Sequence, residues 1–146
     1  MVMNAYFDTA IILKLYVQEG TSADAVRLVN ECQAPYLLTP LQEIETRTAL
    51  RLKAFRKEIT TAEVEASMGA FDADILSGRW KKPEYKDATV WRLASDLSVR
   101  HAAKIGCRTL DLLHVAAALS LGVNTFVTFD ERQRTVAKLE GLTVKQ

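Results

Sequence analysis

Four carboxylates in this sequence stand where the fold could gather them around one cation. Asp8 and Asp130 directly follow short apolar runs that predict strands, Asp111 lies in the first turn of a predicted helix, and Glu45 lies within the predicted helix 41–55. Carboxylates that converge repel each other, by on the order of 4 kcal/mol for two unit charges 4 Å apart at an effective dielectric of 20. Oxygen ligands without a His or Cys partner suit a hard ion, so the predicted chemistry is that of Mg²⁺ or Mn²⁺ beside a phosphate.

Each of these acids also has a structural explanation when it is considered alone. Asp8 and Asp130 each precede a predicted helix and could cap it. Asp111 sits where the helix dipole favours an acid by roughly 0.3–1 kcal/mol. The four acids considered together support a functional site. Asp8 and Asp130 belong at the carboxyl ends of strands in one parallel sheet, and the same crevice could receive Asp111 and Glu45.

Glu45 is harder to explain structurally than its neighbour Glu43. Leu41 and Leu52 lie on the same side of the predicted helix as Glu45, the side that the pattern predicts to face the core. A carboxylate there is costly to bury unless it is paired or binds a cation. Glu43 lies about 200° round the helix axis and has Arg47 one turn on, as expected of a solvated, salt-bridged face. We therefore assign Glu45 rather than Glu43 to the site, and the register of this segment keeps Glu43 as the alternative.

Short apolar strands alternate with helices along the whole chain. The predicted strands are residues 1–7, 36–38, 79–80, 125–127 and 142–144. The predicted helices are residues 9–18, 22–31, 40–55, 60 or 61 to 76, 87–104, 109–122 and 131–139. Pro40 suits the first turn of the third helix, with Thr39 as its cap. The alternation predicts an α/β protein, a three-layer α/β/α fold with a central, mostly parallel sheet of four to five short strands.

Length and composition are those of an ordinary globular protein. The 146 residues suffice for one domain, 1–146, whose core needs no disulfide or metal. The 19 Lys and Arg residues nearly balance the 18 Asp and Glu residues. Composition therefore predicts neither a strongly basic nucleic-acid binder nor a membrane-surface protein, although balanced totals can hide patches.

Cys32 and Cys107 lack zinc-ligand spacing and fit a reducing compartment. No segment has the pattern of a signal peptide or a membrane span, so we expect a cytoplasmic protein without a membrane partner.

Basic residues cluster in two stretches that could bind nucleic acid. The candidate substrate-binding residues are Arg47, Arg51, Lys81 and Lys82. The arginines follow Glu45 on one helix and the lysines follow Trp80; cations interleaved with aromatic rings suit single-stranded nucleic acid. A solvated surface is the simpler explanation of each cluster. Arg108, just before Asp111, could contact a phosphate or an acid of the site, whereas His114, on a largely apolar helix face, is expected to be structural.

Four segments, spread in order from near the start to near the end of the chain, carry a family resemblance. They are residues 6–10 (YFDTA), 41–50 (LQEIETRTAL), 108–116 (RTLDLLHVA) and 125–130 (TFVTFD). In this order and spacing they make the chain similar to the PIN-domain ribonucleases, and within that family to VapC-type toxins. The resemblance covers essentially the whole chain and implies a PIN-like fold.

The resemblance implies a metal-dependent endoribonuclease with Mg²⁺ or Mn²⁺ as its cofactor. The residues that match the family's catalytic acidic quartet are Asp8, Glu45, Asp111 and Asp130. Asp8 and Asp111 match the positions expected to hold the metal most directly, and Thr9 and Thr128 match small hydroxyl positions beside the site. The implied reaction is in-line attack of water on a phosphodiester bond of single-stranded or structured RNA.

The resemblance also implies protein partners. VapC-like proteins are expected to form homodimers and to pair with a small VapB-like antitoxin, which places an Arg or Lys in the carboxylate cluster. Two alternatives stay open: a PIN nuclease without an antitoxin, and a non-catalytic PIN-like module that binds RNA or a protein. Receiver domains and haloacid-dehalogenase-type phosphatases are disfavoured, because both classes require a second acid close to the acid that follows the first strand. Asp8 is the single acid at that place in this sequence.

Overall fold

The strands of this protein are short and pair in parallel. In the computed structural model, which describes residues 4–145, they are β1 (Ala5–Phe7), β2 (Tyr36–Leu37), β3 (Trp80–Lys81), β4 (Thr125–Val127) and β5 (Thr143–Lys145). One sheet has the order β1–β4–β5, and β2 and β3 form a separate pair. The predicted α/β fold with a parallel sheet is confirmed, and its strands are divided between a sheet of three and a small pair.

A side-chain hydrogen bond occupies the free edge of β1. β2 contacts β1, but the two strands do not pair within residues 4–145. Gln42 Nε2 donates a 2.7 Å hydrogen bond to the Phe7 carbonyl, which a neighbouring strand would otherwise use. The Gln42 side chain thus satisfies the buried backbone in place of a strand partner.

Helices surround these strands. They are α1 (Thr9–Tyr16), α2 (Ser22–Asn30), α3 (Pro40–Phe55), α4 (Thr61–Leu76), α5 (Asp87–Leu97), α6 (Ala103–Ile105), α7 (Thr109–Leu121) and α8 (Glu131–Leu139). A π-helical turn, Ser98–Ala102, joins α5 to α6, so the single helix predicted over 87–104 is interrupted. Gly106 ends this segment with φ 79°, a left-handed conformation that glycine adopts without a Cβ clash.

The two faces of the three-stranded sheet bury separate hydrophobic cores. Tyr6 and Phe126, which are paired across β1 and β4, stack with ring centroids 5.5 Å apart and pack with α5, α7 and α8. Phe7 and Val127, the next pair, belong to the opposite core with α1, α2 and α4. Because successive strand side chains point to opposite faces, β1 and β4 bury residues on both sides, as a three-layer fold requires.

A reciprocal pair of hydrogen bonds fixes the start of α3. Thr39 Oγ1 accepts the Gln42 N–H at 3.2 Å, and Gln42 Oε1 accepts the Thr39 N–H at 2.7 Å, which is a capping box. The predicted start at Pro40 with Thr39 as the cap is confirmed. Since Gln42 also bonds the Phe7 carbonyl, the capping box ties the start of α3 to the end of β1.

The remaining element boundaries lie close to the predicted ones. The last strand is Thr143–Lys145 rather than 142–144, and the third is Trp80–Lys81 rather than 79–80. The first part of the strand predicted over 1–7 lies outside the described residues. Within residues 4–145, no helix has the length and apolar character that a membrane span needs. Cys32 and Cys107 are free and buried.

Replacing Gln42 by leucine is expected to destabilise the fold. Two buried backbone groups, the Thr39 N–H and the Phe7 carbonyl, would lose their partner, and each loss costs about 1–3 kcal/mol. Gln42→Leu should therefore lower the free energy of unfolding by about 2 kcal/mol or more, measured by urea denaturation. Gln18→Leu, at an exposed position, is the control. Equal stability of the Gln42 and Gln18 variants would contradict the role of Gln42.

Glu140, just after α8, makes a pH-dependent contact with the π-helical turn. It is hydrogen-bonded at 2.7 Å to Arg100 and to His101. The Arg100 hydrogen bond, opposed by desolvation and helped by His101, lowers the pKa of the Glu140 carboxyl. A depressed folded-state pKa contributes stability that is present above the unfolded value, about 4.3, and is lost as the pH falls through the folded value.

Glu140→Gln should therefore be less stable than wild type at neutral pH, and the difference should shrink as the pH falls below about 4. Urea denaturation at a series of pH values measures this difference. Glu65→Gln, at an exposed position, should show no such dependence. A difference between wild type and Glu140→Gln that stays constant through the acid range would rule out this linkage.

Candidate active site

A cavity of about 690 Å³ lies beside the carboxyl end of β1. Three different elements bring carboxylates to its lining: Asp8 directly after β1, Glu45 on α3, and Asp111 in the first turn of α7. Arg108 and His114 also line it. Three of the four predicted acids thus share one cavity, at the edge of the sheet where parallel α/β folds bind ligands.

The pairing of β1 with β4 positions Asp8. The Asp8 N–H donates to the Val127 carbonyl at 3.0 Å, which continues the strand ladder by one residue, and its carbonyl accepts the Ile11 N–H of α1 at 2.9 Å. The Asp8 side chain makes no cap hydrogen bond to α1. Its Oδ2 instead accepts a 3.1 Å hydrogen bond from Thr128 Oγ1. Capping therefore does not explain this residue, and its carboxylate lines the cavity.

Burial raises the pKa of the Asp8 carboxyl, because desolvation disfavours the charged form. The positive charge of His114 and the Thr128 hydroxyl oppose the rise, whereas the charges of Glu45 and Asp111 add to it. No salt bridge within residues 4–145 involves Asp8. A partly buried acid among other acids, with no salt bridge of its own, is a group that a bound cation would stabilise.

Glu45 is held by a buried chain of polar side chains. Its Oε1 accepts a 3.1 Å hydrogen bond from Thr9 Oγ1 and is in close contact with His114 Nε2. On the other side of the imidazole, Nδ1 lies 2.7 Å from the Tyr6 hydroxyl. Burial acts to raise the pKa of the Glu45 carboxyl, but the hydrogen bond and charge of His114, with Thr9, hold this pKa below its usual value. Both contacts use Oε1, so Oε2 has no hydrogen-bond partner among the described residues.

Glu43 lies outside this cavity. It pairs with Arg47 at 3.2 Å and with Lys82 at 3.0 Å, as a salt-bridged helix face would. The sequence predicts that Glu45 lies on a core-facing side of α3 together with Leu52. Leu52 is 41% exposed, so packing of that side against the core is not what partly buries Glu45. Glu45 is instead covered by contacts with α1 and α7, through the Thr9 and His114 side chains described above.

Backbone groups at two helix starts hold Asp111 and Asp130. Asp111 Oδ2 accepts the Arg108 N–H at 3.2 Å, and Asp130 Oδ1 accepts the Gln133 N–H at 2.8 Å. Asp130 does not line the cavity of the other three acids. It lines a second cavity of about 510 Å³, and Arg108 and Asp111 line both. Asp130 thus lies in the adjoining cavity beside Asp111, where one of its oxygens caps α8, and its place in the predicted quartet stays a prediction.

Thr128 connects Asp8 with Asp130. Its hydroxyl donates to the Asp8 carboxylate and accepts the Asp130 N–H at 2.9 Å. Thr9 makes the equivalent contact with Glu45. Both predicted hydroxyl positions therefore touch acids of the predicted quartet.

The four candidate substrate-binding residues lie away from both cavities of the described chain. Arg47 is held by two carboxylates, at 3.2 and 2.7 Å, and Lys82 is paired with Glu43. Arg51 and Lys81 are exposed. Helix α3 thus presents its basic residues to carboxylates and solvent, while Glu45 alone reaches the site.

Two further residues position the acids of the cavity. Gln42 anchors α3 to β1 one turn before Glu45, and the Thr-x-x-Gln spacing of a capping box is its signal in the sequence. His114, which is expected from the sequence to be structural, contacts Glu45 from α7. Its three-residue spacing from Asp111, which places both on one side of a helix, is the signal for this role.

The donor set fits a cation held by two carboxylates and water. Within residues 4–145, no three His, Cys, Asp or Glu side chains are arranged to hold a metal ion between them. Mg²⁺ does not require such a cage, because it is usually bound by one or two carboxylates and keeps several waters. Asp8 and Asp111 are the cavity carboxylates without a salt bridge in the described chain, whereas Glu45 contacts His114. These two residues could therefore hold the ion.

Comparison with known proteins identifies a family for most of the chain. The model of the PIN domain family matches residues 5–139. No curated protein matches the chain by similarity.

Several solved structures share the fold at low sequence identity. FitAcB from Neisseria gonorrhoeae superposes with a TM-score of 0.69 at 15% identity, over 97% of this chain and 96% of that one. VapC20 from Mycobacterium tuberculosis, a Sarcin-Ricin loop cleaving toxin, gives 0.67 at 19% identity, over 97% and 99%. VapBC2 from Rickettsia felis, bound to a DNA fragment from their promoter, gives 0.63 at 14% identity, over 99% and 98%. These likenesses show a common fold over nearly the whole chain.

Removing the Thr128 hydroxyl should raise the pKa of Asp8 further, because the hydroxyl stabilises the charged carboxylate. Thr128→Val keeps the side-chain shape and removes the hydrogen bond. A pH titration of the aspartate carboxyl carbons by NMR measures the shift. Thr143→Val, at an exposed position on β5, is the control and should leave the Asp8 pKa unchanged. An Asp8 pKa that is unchanged or lower in Thr128→Val would show that the hydroxyl does not act on this acid.

Proposed function

The chain belongs to the PIN domain family, and we propose that it is a metal-dependent endoribonuclease, the toxin of a type II toxin–antitoxin pair. The observation that carries this proposal is the convergence of Asp8, Glu45 and Asp111, from three separate elements, on one cavity. Mutual repulsion opposes such a gathering, so perturbed acids that share a cleft point to a functional site. The fold likeness to VapC20, a toxin, supports the toxin assignment.

Asp8 and Asp111 are the residues that would hold Mg²⁺ or Mn²⁺. When bound, the ion would supply Lewis-acid stabilisation of a phosphodiester and a more acidic water. The fit rests on the oxygen donors of the two carboxylates and on the burial of Asp8, whose pKa is raised by desolvation. Thr128 fixes Asp8 Oδ2 through its hydrogen bond, so the carboxylate meets its ligand in one orientation.

The remaining side chains of the cavity orient the reactants. His114 and Thr9 immobilise Glu45 through Oε1, and Glu45 Oε2 can accept a hydrogen bond from the water that attacks phosphorus in line. Arg108 can donate to a non-bridging phosphate oxygen, a charge-assisted contact. Asp130 is the fourth acid of the proposed catalytic quartet: its side chain lines the adjoining cavity together with Asp111, and its backbone N–H donates to the Thr128 hydroxyl that holds Asp8.

We also propose a small antitoxin protein as the partner of this chain, and a homodimer as its state. The fold likeness to VapBC2 supports a partner of the VapB kind. The electrostatics of the cavity favour a basic inhibitor, because an Arg or Lys side chain placed between Asp8 and Asp111 would relieve their repulsion and displace the ion.

Cleavage of labelled single-stranded RNAs, with a sarcin–ricin loop RNA among them, tests the proposed activity. The wild type should cut with Mg²⁺ or Mn²⁺ and should stop with EDTA. Asp8→Asn should lower the rate by about a hundredfold or more, as expected for loss of a group that stabilises the transition state. Glu45→Gln should also be impaired, whereas the matched variant Glu43→Gln, which alters only a salt-bridged surface residue, should cut normally.

Cleavage that persists in EDTA would overturn the metal dependence. Equal impairment of Glu43→Gln and Glu45→Gln would overturn the assignment of Glu45. A folded wild type that binds these RNAs in the presence of metal but cuts none of them would favour the alternative, a non-catalytic PIN-like module.

A further inference from the structure

The second cavity is lined by basic side chains, two of which, Lys104 and Arg132, have no part in the proposed reaction. Lys104, Arg108 and Arg132 line it, and Arg108 also lines the acidic cavity. None of the three forms a salt bridge within residues 4–145. We propose that this second cavity is a subsite for the phosphate backbone of RNA, beside the phosphodiester that is cut. The choice of RNA as the ligand rests on the proposed function.

The charge balance of the acidic cavity creates the need for such a subsite. Its lining holds three carboxylates, and Arg108 is the one Lys or Arg that lines it in the described part of the chain. A polyanion approaching these acids is repelled, so its attraction has to come from adjoining surface. The basic residues on α3 do not supply it, because Arg47 is already held by two carboxylates. The second cavity has unpaired cations and shares its border with the first.

Arg132 is held in place at this subsite. Its Nη1 donates a 3.3 Å hydrogen bond to the Gly106 carbonyl, which leaves other guanidinium N–H groups for a ligand. The guanidinium lies 3.8 Å from the position that a Cβ would take at Gly106. Gly106 therefore provides the left-handed turn, and Arg132 packs beside it at an ordinary contact distance. This turn brings Lys104 and Arg108, which flank it in sequence, to the start of α8, where Arg132 lies.

The acids of the second cavity are partly engaged by the backbone. Asp111, Asp130 and Glu131 line it beside the three cations. One oxygen of Asp130 accepts the Gln133 N–H, and one oxygen of Asp111 accepts the Arg108 N–H. None of the three acids forms a salt bridge with a basic side chain of the described residues. The guanidinium and ammonium groups thus stay available to phosphate oxygens, for which they are strong hydrogen-bond donors.

Salt-dependent RNA binding tests the subsite separately from catalysis. The probe is a short, fluorescently labelled single-stranded RNA of mixed sequence, titrated with Asp8→Asn protein in EDTA at a series of salt concentrations. Lys104→Gln, Arg132→Gln and the double variant are made on this background. Each lost phosphate contact should weaken binding and reduce the slope of log K against log salt by about 0.7, and the double variant should lose about 1.4. Lys138→Gln, at an exposed position on α8, is the control of equal charge change.

The result that would overturn the subsite is a salt slope in the double variant equal to that of the Lys138 variant, or no RNA binding by the Asp8→Asn protein itself. Thermal unfolding shows whether Arg132→Gln, which loses the Gly106 contact, is folded. If Arg132→Gln is not folded, the salt slope of Lys104→Gln alone tests the subsite. RNA binding that depends on Lys104 and Arg132, in a wild type that cuts no RNA, would support the subsite and refute the nuclease. Cleavage of RNA by the wild type, together with salt slopes that Lys104→Gln and Arg132→Gln leave unchanged, would support the nuclease and refute the subsite.

Discussion

The register of β1 against β4 is the constraint on which the candidate site depends. Tyr6 pairs with Phe126 and Phe7 with Val127, so the next residues, Asp8 and Thr128, meet at the carboxyl end of both strands. A slip of one residue would exchange the faces of all these side chains and would remove two aromatic rings from their cores. The burial of Tyr6 and Phe7 on opposite faces therefore fixes the position of Asp8. The chemistry of the site depends on the packing of the sheet that precedes it.

The fold treats two neighbouring acids differently, and this difference gives each a distinct role. Glu45 is compensated by His114 and Thr9, and the pKa of its carboxyl is held low. Asp8 has one neutral hydrogen-bond donor, Thr128, and burial raises the pKa of its carboxyl. An acid that is already compensated can orient a water, whereas an uncompensated one gains most from a cation. The distinction arises because His114, on α7, contacts Glu45 directly and acts on Asp8 only through space.

Opposite charges lie side by side at this end of the molecule. The described lining of the first cavity holds three carboxylates and one guanidinium, that of Arg108. The second cavity holds three acids and three cations, and the cations form no salt bridges in the described chain. In the proposed scheme the carboxylates of the first cavity suit a metal ion but repel RNA, and Lys104 and Arg132 supply the attraction. Arg108 lines both cavities.

The sequence by itself determined the elements and the acids that follow them. Local signals sufficed for the start of α3, where Thr39 and Pro40 act within one turn, and helical periodicity separated Glu45 from Glu43. The tertiary structure decided what depends on residues distant in sequence. Gln42 bonds the Phe7 carbonyl at the free edge of β1, and the strands form two sheets rather than one. Asp130 caps α8 with one oxygen and lines the second cavity beside Asp111. The turn at Gly106 brings together Lys104, Arg108 and Arg132, which do not form a cluster in the sequence. These contacts join side chains to backbone groups and cavities that are formed by segments distant in sequence. They are therefore decided only when the chain has packed.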